Sequence, residues 1–454
     1  MKHLLILAAA LSSLALAAPH DPAGLRDAAL GDTLARDIVD GLTTEIGPRP
    51  AGTAIEARAR DWAVARLKAL GFSNVHIEPF EVDGWARGEE HGEVVGQNAQ
   101  RLALTALGNS GATPAAGLTA EVAMFDGLDA LKAAPEGSLK GKIAFVTHRM
   151  TATQDGTSYG AFGPIRFDGP GIAARKGAAA IVIRSVGSDH NRLPHAGLTN
   201  FPAGVAAIPA AALSVPDAEQ IERLLARGPV RLHLVLTPRA TGVRQSGNVV
   251  AEIPGSDPQA GIVLVGGHLD SWDLGTGAID DGAGVAIVTA AAKRILDRGL
   301  APRRTIRVVW FGSEEIGGAR QGDAYLAAHR GERHALAAES DFGADRVWRV
   351  DAKLPDEAAA VRARLAAALA PLGIAAGNAT AHGGSDVGAT IEAGASGIDL
   401  RQDGLRYFDI HHSANDTLDK IDPAQLSQNV AAWTAMLAIV ADAPEPLLKT
   451  PLDN

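Results

Sequence analysis

At 454 residues the chain is longer than one hydrophobic core usually supports, so two or three structural units are expected. Apolar residues make up 46% of it, and the net charge of -10 comes without any basic cluster suited to nucleic acid or anionic lipid. With no cysteine there are no disulfides, zinc fingers or iron–sulfur clusters, so any metal is left to His, Asp and Glu.

The chain opens on the pattern of an export signal. Lys2 and His3 precede an apolar run from Leu4 to Leu16, and Ala15-Leu16-Ala17 fits a cleavage site. Residues 1–17 are read as a signal peptide, too short for a comfortable membrane span. No later stretch has about 18 uninterrupted apolar residues. The mature chain is therefore expected to be soluble, secreted or periplasmic, with no membrane and no nucleic acid among its partners.

Thr53 and Glu56 fit a capping box that opens a helix to Leu70, with Ile55, Ala59, Trp62 and Arg66 on one face and Gly71 at the exit. A short strand, Val75 to Ile77, is predicted next. Residues 113–244 read as a separate, β-rich unit. It holds the strands Ile143 to Val146 and Ala180 to Ile183, a small-residue helix from Gly171 to Lys176, and the alternating run Val230, Leu232, Leu234, Leu236. The flanking segments, 18–112 and 245–454, are assigned to one domain. In the second of these, Ile262 to Val265 and Ile306 to Phe311 are compact apolar runs, as buried parallel strands are. A helix from Val285 to Leu296 lies between them. Leu426, Val430, Trp433, Leu437 and Val440 predict a long amphipathic helix near the end. This alternation predicts an α/β domain, with a mostly parallel, mixed sheet flanked by helices.

Five acidic or histidine clusters follow residue 260. Gly266-Gly267-His268-Leu269-Asp270 leaves a buried strand, where ligands of open α/β sheets sit, and Asp270 can orient the His268 imidazole. Asp280-Asp281 stands between glycines before a helix; alone, it also suits ordinary N-caps. Glu314-Glu315 leaves the next apolar strand, and paired glutamates there repel one another without a cation. Glu339-Ser340-Asp341 and His411-His412-Ser413 complete the set. Alone, the former also fits a turn and the latter a surface loop. Together, Asp280, Glu315, Asp341 and a hydroxide balance the charge of two zinc ions. One bridging carboxylate, two terminal carboxylates and two imidazoles make a ligand mix suited to zinc, with manganese or cobalt as alternatives. Two such ions about 3.5–4 Å apart hold both a water nucleophile and the substrate oxygen. Glu314 is then the general base.

These ordered motifs resemble the co-catalytic di-zinc exopeptidases, which include secreted aminopeptidases, glutamate carboxypeptidase and carboxypeptidase Q. The resemblance implies that Asp280 bridges the metals, with Glu315 and His412 on one ion and His268 and Asp341 on the other. It further implies a cis peptide between Asp280 and Asp281, a zinc-exopeptidase fold, and a protease-associated domain at 113–244. Ile46-Gly47-Pro48-Arg49 with Gly52 is similar to the carboxypeptidase Q branch. Where some relatives place a tyrosine before the last metal histidine, this chain has His411, the candidate oxyanion donor. His382-Gly383-Gly384-Ser385-Asp386 is a candidate pocket wall or a plain turn, with His382 and Asp386 as candidate substrate contacts. His148, His190 and His195 are read as surface or structural. The implied activity is hydrolysis of terminal peptide bonds in short peptides or dipeptides, and a homodimer is implied by the resemblance alone. Aminopeptidase action, glutamine cyclisation and a metal-free binding module remain as alternatives.

Overall fold

The computed structural model describes residues 21–316 and 321–448. The signal segment 1–17 lies outside them. No described helix is long and apolar enough to cross a membrane.

Two eight-stranded sheets organise the chain. In the first, Thr305–Phe311, Ile262–His268, His334–Glu339 and Ser396–Gln402 run parallel in that spatial order. Antiparallel strands flank them: Arg239–Ile253 on one side and Val347–Lys353 on the other. The apolar runs explain the centre, because a parallel strand is covered on both faces and needs no polar alternation. Helix Ala283–Leu296 packs on this sheet, and helix Pro423–Asp442 packs on that helix. The sheet is thus mixed and mostly parallel, with helices against it, as predicted.

Several elements differ from their sequence pattern. The final helix is buried on nearly all sides rather than along one stripe, because Pro22–Ala29, Leu34–Gly41 and Ala359–Leu369 pack around it. In helix Ala54–Ala69, Thr53 caps the Glu56 N–H at 3.2 Å, but the buried face is Glu56, Ala59, Arg60, Ala63 and Leu67. Ile55 is exposed. Glu56 and Arg60 enter the interior as an ion pair at 2.6 Å, which hides the face from a reading of apolar spacing. The strand at 75–77 is part of Ser73–Ala86, one half of a long ribbon with Arg239–Ile253.

That ribbon carries the chain to and from the second sheet. The sheet's strands, in spatial order, are Gln100–Arg101, Glu90–Val94, Arg231–Leu236, Leu118–Asp126, Ile143–Thr147, Ala180–Arg184, Ala210–Leu213 and Leu104–Ala106. Three of them precede residue 113. The predicted helix at 171–176 runs from Thr157 to Arg175 despite Pro164 and Pro170.

Two buried histidines tie stability to pH. Burial lowers His148 to about 4, with its Nδ1 accepting from the Met150 N–H. Burial and the Arg307 charge likewise lower His334 to about 4. Both rings stay neutral in the fold down to about pH 4, whereas in the unfolded chain they protonate near pH 6.5. Their contribution is complete above pH 6.5 and is lost as pH falls toward 4. In chelator, urea unfolding at pH 5 is expected to lose roughly 1–2 kcal/mol per ring relative to pH 7. His148→Gln is expected to flatten that slope by its share; an unchanged slope would count against this origin.

Candidate metal centre

Neighbouring parallel strands deliver the acidic and histidine clusters to one sheet edge. His268 ends the strand Ile262–His268, Glu314 and Glu315 follow Thr305–Phe311, and Asp341 follows His334–Glu339. Parallel pairing places all three carboxyl ends together. Asp280 enters from the turn before helix Ala283–Leu296, and the Asp280–Asp281 peptide is cis. His411 and His412 come from the loop beyond Ser396–Gln402.

The side chains converge on Asp280. Its Oδ1 lies 3.1 Å from His268 Nε2, which is 3.5 Å from Asp341 Oδ1. Its Oδ2 lies 3.1 Å from His412 Nε2, which is 3.0 Å from Glu315 Oε2. Each carboxylate oxygen of Asp280 therefore faces its own histidine and acid. Asp280 Oδ2, Glu315 Oε1 and Asp341 Oδ1 are buried without a hydrogen-bond donor. Buried carboxylate oxygens left this way are costly unless a cation meets them. Triads of His268, Asp280 and Glu315, and of Asp280, His411 and His412, have ligand atoms within 4.8 Å of one another. The donor set is nitrogen and oxygen only, which suits zinc.

The charges are far from their ordinary states. Burial pushes Glu315 well up, and the Asp280 and Glu314 charges add to it. Burial and the Asp341 charge likewise push Asp281 well up. Burial opposes ionisation of Asp280, but the His268 imidazole bonded to Oδ1 and the His412 imidazole facing Oδ2 outweigh it and hold its carboxyl well below the ordinary range. Burial and the neighbouring His412 push His411 well down, so its ring is neutral. His411 Nε2 is 3.6 Å from Asp280 Oδ2, and its ring stacks on His412 at 3.5 Å.

A second group of residues fixes the first. Asp270 receives the Glu314 and Glu315 N–H groups at 3.0 and 3.2 Å, so it clamps the glutamate loop. Its backbone carbonyl accepts from His268 Nδ1 at 3.0 Å, while its carboxylate is 3.5 Å from the same nitrogen. Asp281 accepts from the His268 and Gly284 N–H groups, joining strand to helix. Asp416 accepts from the N–H groups of Ala278 and Ile279 at 2.7 Å each. Trp272 donates its indole N–H to Glu315 Oε2. From the loop after the second sheet's strand Ala180–Arg184, Ala196 donates its N–H to the His412 carbonyl at 2.8 Å. His195 Nδ1 meets the His411 carbonyl at 2.6 Å.

The 382–386 segment divides differently from its sequence reading. Ser385 hydrogen-bonds Glu314 and lines the metal cavity. Asp386 is wholly buried and accepts from Gln321 Nε2 at 2.5 Å. His382 is exposed, and its backbone N–H donates to Asp399. Neither lines the cavity that Glu314 faces, because the strand-to-helix turn there presents Ser385.

Sequence reasoning had no signal for what Arg49 does. Its buried guanidinium donates to the carbonyls of Thr276 at 2.7 Å and Gly277 at 2.8 Å, and to that of Leu269. It thus pins the loops on either side of the metal ligands. Arg49→Met leaves those buried carbonyls unpaired. We expect a loss of about 3 kcal/mol in unfolding free energy, and roughly 10–100-fold weaker zinc binding in a chelator competition. Unchanged values in both would show that the loops hold themselves.

Fold and site together define a zinc metallopeptidase. Residues 248–437 match Peptidase family M28. Carboxypeptidase Q of Bos taurus is 36% identical over 409 residues, covering 89% of this chain and 85% of that protein. The crystal structure of a peptidase M28 precursor from Shewanella amazonensis superposes with a TM-score of 0.90 at 46% identity, covering 94% of this chain and 97% of that one. A zinc aminopeptidase from Bacillus subtilis shares the fold, with a TM-score of 0.65 at 21% identity over 92% of this chain and 98% of that one. The chain belongs to peptidase family M28.

Proposed function

We propose that this chain is an exported exopeptidase that binds two zinc ions and hydrolyses terminal peptide bonds of short peptides or dipeptides, close in action to carboxypeptidase Q. The observation that carries this reading is the division of Asp280, whose two oxygens face two separate sets of one histidine and one acid. In this reading Asp280 would serve both ions, with His268 and Asp341 completing one site and His412 and Glu315 the other. Zinc bound there supplies a Lewis acid for the peptide carbonyl and lowers the pKa of a water.

The chain's own groups supply the rest. Glu314 opens on a cavity of about 360 Å³ shared with Asp280, Glu315, Asp341 and His412. As water oxygen bonds to the carbonyl carbon, Glu314 takes the water's proton. The C–N bond then breaks, and Glu314 passes that proton to the departing amine. His411, neutral and lining the cavity, donates to the developing oxyanion from one ring N–H. Asp270 holds the Glu314 backbone in place throughout.

The second unit, read as a protease-associated domain, covers the cavity with Tyr159, Arg166, Phe167 and Leu198. A covered cavity at the low end of ligand-pocket size favours a chain end over the middle of a polypeptide. Aminopeptidase action is the second reading. It is favoured by an adjacent cavity lined by Asp155, Glu339 and Asp341 beside the Arg401–Asp399 ion pair, whose excess of acids would suit an ammonium group. Zinc content measured beside hydrolysis of free and end-blocked dipeptides tests the proposal. Full zinc occupancy with no peptide cleaved would end it.

A further inference from the structure

We propose that Arg166 reads the free C-terminal carboxylate of the substrate, which makes the second unit the element that sets end specificity. The inference rests on the peptidase reading above and extends it.

Arg166 lies on helix Thr157–Arg175, and the residue is 2% exposed. The residue lines the metal cavity. A buried cation is normally paired with a carboxylate. Among the described residues, no ion pair includes Arg166. Its Nη2 donates to the Tyr159 hydroxyl at 2.7 Å, and its Nε is buried with no acceptor. Nη1 lies 3.3 Å from His412 Nδ1. That contact cannot satisfy it when His412 Nε2 faces a metal. Nδ1 then carries the ring proton and points to the Ala196 carbonyl, 3.3 Å away, leaving no lone pair for Nη1. Nε and Nη1 are thus left without acceptors, and Nη2 keeps a second N–H beside its bond to Tyr159, so Nη2 can pair with one of them on a carboxylate.

The site is built rather than incidental. The guanidinium lies over the Phe167 ring at 4.5 Å, and it is 5.5 Å from the Tyr159 ring. Tyr159 in turn stacks on Phe408 at 4.4 Å. Gly197, at φ +133°, passes so close that a Cβ there would sit 2.5 Å from the guanidinium. The fork is therefore held in one orientation before any ligand arrives. A planar, preorganised fork matches a carboxylate with two parallel hydrogen bonds.

Position names the carboxylate. The guanidinium touches His412, and the residue lines the same cavity as Asp280, Glu314, Glu315 and Asp341, so an anion on it shares that cavity with the bond to be cut. The anion that every dipeptide brings there, one residue from its only peptide bond, is its own terminal carboxylate. The cavity's carboxylates do not compete for Arg166, because Asp280, Glu315 and Asp341 face the metal positions and Glu314 faces Ser385.

The test compares dipeptides with their C-terminal amides on the zinc-loaded enzyme. The unmodified chain is expected to cleave the amides about 100-fold less efficiently in kcat/KM. Arg166→Met, which keeps the apolar stem, is expected to lower kcat/KM on free dipeptides about 100-fold, mainly through KM, and to leave the amides within a few-fold. Arg166→Lys should recover part of the loss. Calorimetry on Glu314→Gln enzyme should show dipeptides binding more tightly than their amides, and this arm stands if Arg166→Met does not fold. Equal cleavage or equal binding of acid and amide by the unmodified chain overturns the proposal. So does an Arg166→Met variant that slows both substrates alike at full zinc, which would assign Arg166 to the oxyanion. Zinc-loaded enzyme that cleaves neither substrate defeats the peptidase reading instead, and binding then decides Arg166 separately.

Discussion

Glu314→Gln is expected to keep the fold and the bound zinc while kcat falls by about 10²–10⁴-fold. The amide has nearly the shape of the carboxylate and can still meet Ser385, which hydrogen-bonds the native side chain. Its backbone position does not depend on the side chain, since Asp270 Oδ1 holds the Glu314 N–H at 3.0 Å. What the substitution removes is the ability to take a proton. Burial raises the Glu314 carboxyl from its ordinary value and Asp341 adds to this, while His268 and Ser385 pull the other way. A carboxylate poised upward in this manner transfers protons better near neutral pH than one at its ordinary value. The measurements are zinc per chain, melting temperature and kcat on one dipeptide. Near-native kcat at full zinc occupancy would remove Glu314 from the role of base.

Much of the site could be read from the sequence because its clusters follow compact apolar strands. A strand buried on both faces is recognisable from Ile262 to Val265, and the residue that leaves it must lie at a sheet edge. His268 and Glu315 are placed by that logic, and the structure brings Asp341 to the same edge from a strand, His334–Glu339, not predicted from the sequence. Where the reading fell short, tertiary packing overrode local preference. Thr157–Arg175 carries Pro164 and Pro170 and several glycines, which locally signal a loop. It nevertheless folds as the helix that presents Tyr159 and Arg166. Glu90–Val94 is short and polar, so the second sheet's first strands gave no periodic signal. Arg49 and Asp416 act through backbone carbonyls and N–H groups of distant loops. Such contacts leave no mark on residue type or spacing.

Asp280→Ala is expected to abolish binding of both zinc ions, although the residue supplies only one carboxylate. Its Oδ1 and Oδ2 lie 3.1 Å from His268 Nε2 and His412 Nε2 respectively. Without it, each set keeps one histidine and one acid, short of the three or more protein ligands that zinc sites use. The remaining acids also lose the group that divides them. The native chain gains stability from zinc by mass action, about 4 kcal/mol at a free concentration 1,000-fold above Kd. The variant gains nothing, so its melting temperature should be the same in zinc and in chelator. Metal analysis and paired melting curves report the two effects independently. Two tightly held zinc ions in the variant would show that Asp280 is dispensable. Loss of one ion with retention of the other would show that it serves a single metal, and the two sets would then have to be held together by some other bridge.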